Sequence, residues 1–216
     1  MKTIFVTGGN GLLGSEFIYT LMGYYDVFNL ELPSTDVTDR QSLYEMLRIC
    51  GVPYGIVNCA AIDFPPGSSD SDFEKVMKVN VEGVKNCCEI FGEAMDKVGE
   101  GVIINIASIY GMVSPDQRIY KDFIKPVSYG ASKAAVINMT KYYATLYKNV
   151  RVNCVSLGGV YNNQDEEFVK EYCKKVPMGR MARKDEYNGL IQFLLSDGAS
   201  YITGSNIIAD GGFTAW

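Results

Sequence analysis

Short runs of consecutive apolar residues alternate along this chain with stretches in which apolar residues recur every three or four positions. "TIFVT" (3–7), "DVFNLEL" (26–32), "GIVNCAA" (55–61), "GVIINIAS" (101–108), "VRVNCVS" (150–156) and "NIIAD" (206–210) have the length and near-continuous apolar character of strands buried on both faces. Between them lie helical patterns. One follows the first strand and carries Leu12, Leu13, Phe17, Ile18 and Leu21. Others cover 39–50, roughly 73–97, about 128–147, 165–175 and 184–196. "PPGSSDSD" (65–72) reads as a loop, and the stretch containing Pro115 and Pro126 as irregular. Strand–helix alternation of this kind predicts a parallel sheet with helices on either side, a doubly wound α/β Rossmann fold. No linker or repeat interrupts the pattern, so 1–216 is expected to form one domain whose ligands bind at the carboxyl ends of the strands.

Composition narrows the function. Apolar residues make up 47% and charged residues 21%, ordinary values for a soluble protein, and the formal net charge is −5. Without a run of Lys or Arg, a nucleic-acid or anionic-membrane surface is not expected. No apolar run approaches the roughly 20 residues that span a bilayer, and "MKTIFVTGG" is too short a run for a signal peptide, so the expected location is the cytoplasm. The six cysteines show no C-x-x-C pairing and read as small buried residues. Histidine is absent. That removes Ser-His-Asp and Cys-His catalysis and most zinc chemistry, and no metal site is expected. Acid–base work near neutral pH then falls to a perturbed Tyr, Lys, Cys or carboxylate.

"TGGNGLLG" (7–14) joins the first strand to the first helix. Gly8, Gly11 and Gly14 fit a tight turn, a bare backbone open to a pyrophosphate, and close helix–strand packing. The anion would rest on the helix N-terminus. Glu31 closes the second strand, 20 positions after Gly11. A carboxylate there accepts hydrogen bonds from ribose hydroxyls and repels a 2′-phosphate, which points to NAD rather than NADP.

Tyr129 and Lys133, in "SYGASKAA", lie one helical turn apart on a common face. A free phenol with a pKa of about 10 is a poor base at neutral pH. An ammonium about 5 Å away, at an effective dielectric of about 20, is worth roughly 3 kcal/mol, or about two in pKa. An oxidised nicotinamide adds a second positive charge. Lysine and cofactor together are thus expected to bring Tyr129 into a usable range against the opposing cost of burial.

The same residues carry a resemblance. Beside "TGGNGLLG" and "YGASK", the chain has "NCAA" (58–61), "KVNVEG" (78–83), "INIASIYG" (104–111), "RVNCVSLGGV" (151–160) and "YITGSNIIADGG" (201–212) in order. Over essentially its whole length it resembles the short-chain dehydrogenase/reductases. The resemblance implies hydride transfer between a nicotinamide and a carbonyl or alcohol carbon. Tyr129 would exchange the proton and Ser108 hold the substrate oxygen. Lys133 would bind the nicotinamide ribose, and Asn80 support a proton-relay water. It also implies a cofactor cradle of Gly8, Asn10, Gly11, Leu12, Leu13, Glu31, Asp36, Val37, Asn58, Ala60, Ala61, Tyr129, Lys133, Gly158, Val160 and Asn162. Within it Asp36 and Val37 would read adenine, by side chain and backbone, while Asn58 would tie neighbouring strands.

Departures from the family pattern are equally informative. Leu12 stands where the commonest form has glycine, and Leu157 where proline is usual. Asn162 replaces the threonine that meets the diphosphate. "ELPSTDVTD" (31–39) runs almost directly from the second strand to the family's third, so the crossover is shortened and a sheet face near the adenine is uncovered. Ser108 and Tyr129 are 21 positions apart, longer than in most relatives. The extra residues, "SPDQRIYKDFIKP" (114–126), are expected to bulge beside the site, with Arg118, Tyr120, Lys121 and Lys125 offering charge and donors to a phosphorylated or acidic sugar. "SPDQRIY", "GGVYNNQDEEFVKEY", "PMGRMARKDEY" and "DGGFTAW" further resemble a subgroup associated with bacterial surface-sugar and flagellin-glycan biosynthesis. The expected partner is a small sugar or phosphorylated or nucleotide sugar. The alternatives are an epimerase or dehydratase using bound NAD, and a non-catalytic dinucleotide sensor or scaffold. Tyr142, Tyr143, Tyr147 and Trp216 fit either a homodimer or homotetramer contact or an internal core.

Overall fold

The computed structural model describes residues 1–63, 73–121 and 124–216; the loop read at 65–72 lies outside them. Six parallel strands form one sheet in the order β2-β1-β3-β4-β5-β6. They are β1 (Thr3–Thr7), β2 (Asp26–Leu30), β3 (Gly55–Asn58), β4 (Gly101–Ser108), β5 (Val150–Leu157) and β6 (Asn206–Ala209). All eight residues of β4 are buried, as expected for a central strand covered on both faces. Alternate side chains of the central strands feed two cores. Phe5, Ile56, Ile103, Val152 and Cys154 pack with α2 (Arg40–Cys50), α4 (Val84–Val98) and α5 (Val127–Leu146). Ile4, Val57, Ile104 and Val155 pack with α1 (Leu12–Leu21) and α7 (Asn188–Leu195) on the opposite face. The doubly wound fold is therefore as the apolar pattern predicted.

Order along the sheet reverses at β1: β2 lies on one side of it and β3 on the other. That reversal opens a crevice outside the carboxyl ends of β1 and β3, the usual ligand site of such sheets. Residues 31–39 form turns and no strand, so the chain passes from β2 directly into α2 and on to β3, and β2 is left as an edge strand with Asp26, Phe28 and Asn29 exposed. Phe28 finds partial cover edge-on against Phe5, with centroids 5.9 Å apart.

The helix expected over 73–97 is continuous but not uniform. α3 (Phe73–Met77) passes into a π-helical stretch, Lys78–Gly83, before α4 begins. A π-turn inserts a residue into the helix ladder and commonly marks a functional position. Here it carries Asn80 and brings Gly83 against Val37, where a Cβ on Gly83 would lie 2.6 Å from Val37 Cγ2. Of the aromatic residues on α5 and beyond it, Tyr143 and Tyr147 are buried in the chain's own core, whereas Tyr142 and Trp216 are exposed. Among the described residues no helix is long and apolar enough to cross a membrane. All six cysteines are free thiols.

A buried polar chain ties the layers together beneath the crevice. Asn58 Nδ2 donates to Asn105 Oδ1 at 2.8 Å, and Asn105 Nδ2 donates to Thr140 Oγ1 on α5 at 2.9 Å. Asn58 thus ties β3 to β4, as its resemblance role implied. Replacing Asn105 by Leu strips a buried amide of its acceptor, a loss of about 1–3 kcal/mol. We expect a lower urea midpoint with an unchanged m-value for this variant; an unchanged midpoint would show the chain to be energetically idle.

Candidate active site

The crevice at the sheet's carboxyl edge encloses about 900 Å³, within the range of a cofactor-and-substrate site. Its floor comes from the first turn of α1 (Leu12, Leu13), the end of β4 (Ala107, Ser108) and the segment after β5 (Gly158, Gly159, Val160). α5 supplies Tyr129 and Lys133, and the stretch before it supplies Ile119, Tyr120, Lys121 and Lys125.

The glycine turn is shaped by contact. Gly8 has φ +68, and a Cβ there would stand 2.7 Å from Ala60 Cα, so only glycine lets the ends of β1 and β3 approach so closely. A Cβ on Gly14 would meet Gly8 O at 2.2 Å, which is why α1 can seat directly on the turn. Gly11 caps α1 with no side-chain hydrogen bond. Buried Thr7 completes the corner, its Oγ1 accepting the Cys59 and Ala60 N–H groups at 3.1 Å each. Glu31 bends back toward the turn, with Oε2 accepting the Asn10 N–H at 3.1 Å.

Three of the four expected catalytic side chains face the crevice; the fourth stands behind it. Asn80 is buried, and its amide is fully engaged: Oδ1 accepts from Ile62 N at 2.8 Å, and Nδ2 donates to Ile62 O at 3.0 Å and Ser132 Oγ at 3.1 Å. Its side chain therefore fastens α5 and the segment after β3 to each other. Ser108 sits at the tip of β4, accepts the Tyr110 N–H at 3.2 Å and lines the crevice with Tyr129. Lys133 is 4% exposed, and its Nζ donates to Ile106 O at 2.8 Å. That ammonium lies 5.7 Å from the centroid of the Tyr129 ring.

The electrostatics differ from the expectation. Burial raises the pKa of Tyr129, and Asp63 adds to the rise, while the neighbouring Ser108 hydroxyl opposes it. Burial also pushes Lys133 down to about 8, against the opposing pull of Cys59 and Asp63. In the protein by itself desolvation thus outweighs the neighbouring lysine, and the phenol stays protonated. The reason is physical: the crevice walls that bring the pair together also remove the water that would stabilise either charge.

The remaining predicted cofactor residues divide. Leu12, Leu13, Ala61, Gly158 and Val160 line the crevice. Gly8, Asn10, Gly11, Glu31, Asp36, Val37, Asn58 and Ala60 are not among the residues that line it. Asp36 Oδ1 accepts from Thr38 N and Oγ1, both at 2.8 Å, and the Val37 carbonyl accepts from Asn86 Nδ2 at 3.1 Å. Asn162 is exposed and does not line the crevice; its N–H is taken by Gln164 Oε1 at 2.7 Å. Gln164 and Asp165 line the wall instead, a two-residue displacement along one turn that spacing cannot reveal.

The residues before α5 do project beside the site, but not as a free positive surface. Lys121 pairs with Glu167, Lys125 with Asp63, and Arg118 with Asp116 at 2.8 Å. What they present inward is largely aromatic. Tyr110 and Tyr120 share a 2.9 Å hydroxyl–hydroxyl contact, and Tyr120, Phe168 and Tyr172 follow one another in tilted ring contacts at 5.2 and 5.9 Å. Tyr110, Phe168, Tyr172 and Asp63 were not singled out from the sequence.

These residues fit a dinucleotide. The bare glycine corner and the uncapped N-terminus of α1 suit a pyrophosphate. Lys133 has three donors and, with one spent on Ile106, needs further acceptors such as ribose hydroxyls.

Comparison with known proteins agrees. A family model described as Enoyl-(Acyl carrier protein) reductase matches residues 31–214. The chain is 32% identical to a 3-oxoacyl-[acyl-carrier-protein] reductase of Thermotoga maritima, over 82% of this chain and 74% of that protein. It is 30% identical to an NADH-dependent L-xylulose reductase of Ambrosiozyma monospora, over 84% of this chain and 72% of that one. A crystal structure of a short chain dehydrogenase from Leptospira borgpetersenii with bound NAD+ superposes with a TM-score of 0.89 at 34% identity, covering 99% of this chain and 92% of the other. Matches of this reach agree with the geometry: the chain belongs to the short-chain dehydrogenase/reductases, NAD(P)-dependent oxidoreductases that interconvert CH–OH and C=O groups.

Proposed function

We propose that this enzyme uses NAD(H) to interconvert a hydroxyl and a carbonyl on a small polyhydroxylated compound, a sugar or sugar derivative. The observation that carries the chemistry is the meeting of Ser108, Tyr129 and Lys133 at one crevice wall. A bound nicotinamide supplies or accepts the hydride there. In the direction of reduction, the Ser108 hydroxyl hydrogen-bonds the substrate oxygen and Tyr129 delivers its proton to it. A phenol that burial keeps protonated suits that role. Lys133 holds the nicotinamide ribose, and Asn80 fixes the helix start that carries Tyr129 and Lys133 through Ser132.

The sugar reading draws on the wall opposite. Aromatic faces from Tyr110, Tyr120 and Phe168 suit the C–H faces of a sugar, while Gln164 and Asp165 offer polar partners to its hydroxyls. The similarity to an L-xylulose reductase supports it. The resemblance of "SPDQRIY" and "DGGFTAW" to phrases of surface-sugar biosynthesis enzymes points the same way. Glu31 supports NAD: a carboxylate beside the glycine turn favours a free ribose 2′-hydroxyl over a 2′-phosphate.

The reading is tested by following NADH absorbance with a panel of keto sugars, sugar alcohols and acyl thioesters. Turnover confined to the thioesters would replace the sugar assignment. With the substrate so found, Tyr129→Phe is expected to lower kcat by about a thousandfold while NADH affinity, followed by fluorescence titration, stays as in the wild type; retained turnover would remove Tyr129 from its role. Glu31→Ala is expected to raise the kcat/KM ratio of NADPH to NADH by about tenfold or more. An unchanged ratio would show that Glu31 does not select the cofactor.

A further inference from the structure

The stretch between Ser108 and Tyr129 brings one cation to a defined place. Lys125 Nζ stands 4.8 Å from the centroid of the Tyr129 ring and pairs with Asp63, its side chain only 12% exposed. Neither partner is loosely held. Gln117 grips the Lys125 peptide on both sides: Lys125 N donates to Gln117 Oε1 at 2.9 Å, and Gln117 Nε2 donates to Lys125 O at 3.2 Å. Asn80 grips the Ile62 peptide next to Asp63 in the same reciprocal way, at 2.8 and 3.0 Å. Two amide side chains from different elements thus clamp the backbone on either side of one ion pair. Asp116, which precedes Gln117, is anchored in turn by Arg118 and by Lys175 beyond α6 (Glu166–Cys173).

Among the described residues, most other titratable groups around Tyr129 are neutral. Cys59 at the end of β3 has its pKa raised to about 11, Tyr120 to about 12, and Tyr110 is raised as well, all chiefly by burial. Those groups stay neutral over the working range. Ser108 is uncharged, and Lys133, pushed down to about 8, is losing its charge on the alkaline side. Of the other charged residues lining the crevice, Lys121 pairs with Glu167 and Asp165 caps α6, so among the described residues the pair facing Tyr129 is Asp63 and Lys125. From the geometry we propose that the Asp63–Lys125 pair is a charge balance that sets the proton affinity of Tyr129, Lys125 acting as a second cation beside Lys133 and Asp63 as its counterweight. Both are positioning residues for the proton transfer, and the proposal rests on Tyr129 being the proton-exchanging group.

The test is the pH dependence of kcat/KM for the alcohol at saturating NAD+ from about pH 6 to 10, where the positive charge of the oxidised cofactor would bring Tyr129 into range and the rising limb reports loss of its proton. Removing the carboxylate in Asp63→Asn should move that limb down by about 1 in pH, and removing the ammonium in Lys125→Met should move it up by a similar amount. Asp63→Asn combined with Lys125→Met should return it toward the wild-type position, and Lys125→Arg, which keeps the charge, should leave it in place. Circular dichroism and NADH titration establish that each variant is folded. Limbs that do not move, or that move in the same direction in both single variants, overturn the proposal. So does loss of turnover across the whole range in folded Asp63→Asn, since that variant should ionise more easily. Full turnover in Tyr129→Phe, measured in parallel, would instead defeat the role of Tyr129 itself.

Discussion

The site hangs on the burial of a single ammonium. Lys133 enters the protein from α5, 4% exposed, and donates to the Ile106 carbonyl of β4 at 2.8 Å. A cation in that position has lost most of its water and holds only part of the hydrogen bonding it can use. Two consequences follow. The site is complete only when something with oxygen acceptors occupies the crevice, as a ribose would. And the whole N-terminal half of α5 must be held rigidly enough to keep the lysine in, which is the work of Ser132, Asn80 and the Asn105–Thr140 contact behind it.

Burial also decides the protonation of the tyrosine. A lysine one turn away is the obvious device for acidifying a phenol, yet in the closed wall of this crevice desolvation acts on both groups at once. It raises the phenol and lowers the ammonium. The outcome favours a neutral proton donor that is poised rather than already ionised. Positive charge brought by an oxidised nicotinamide then acts on a group whose resting state is well defined. Within such a dry site, small rearrangements of the few remaining charges count for more than they would at the surface.

Much of this was legible in the chain. Strands that are buried on both faces announce themselves as unbroken apolar runs, so β1, β3, β4 and β5 fall where the pattern put them. Gly8 and Gly14 were legible because a turn that touches both β3 and α1 leaves no room for a Cβ. Ser108, Tyr129 and Lys133 could be read because two ends of regular elements fix them. What escaped reading depends on contacts distant in sequence. Asp63 and Lys125 are 62 positions apart, and no local pattern pairs them. The charges of 114–126 looked free because their partners, Asp63, Asp116 and Glu167, only meet them in the fold. The π-turn around Asn80 follows the same apolar period as the helix that surrounds it. Asn162 points outward and Gln164 lines the crevice after an irregular turn beyond β5, with Asn163 at φ +56.

Crystals of the protein grown with NAD+ would decide whether the buried lysine serves a dinucleotide. The dinucleotide should lie in the crevice outside β1 and β3, its nicotinamide facing the Tyr129 hydroxyl. The nicotinamide ribose hydroxyls should accept from Lys133 Nζ at about 3 Å. A dinucleotide bound elsewhere, or a Lys133 that turns away from the ribose when the crevice is filled, would contradict that role.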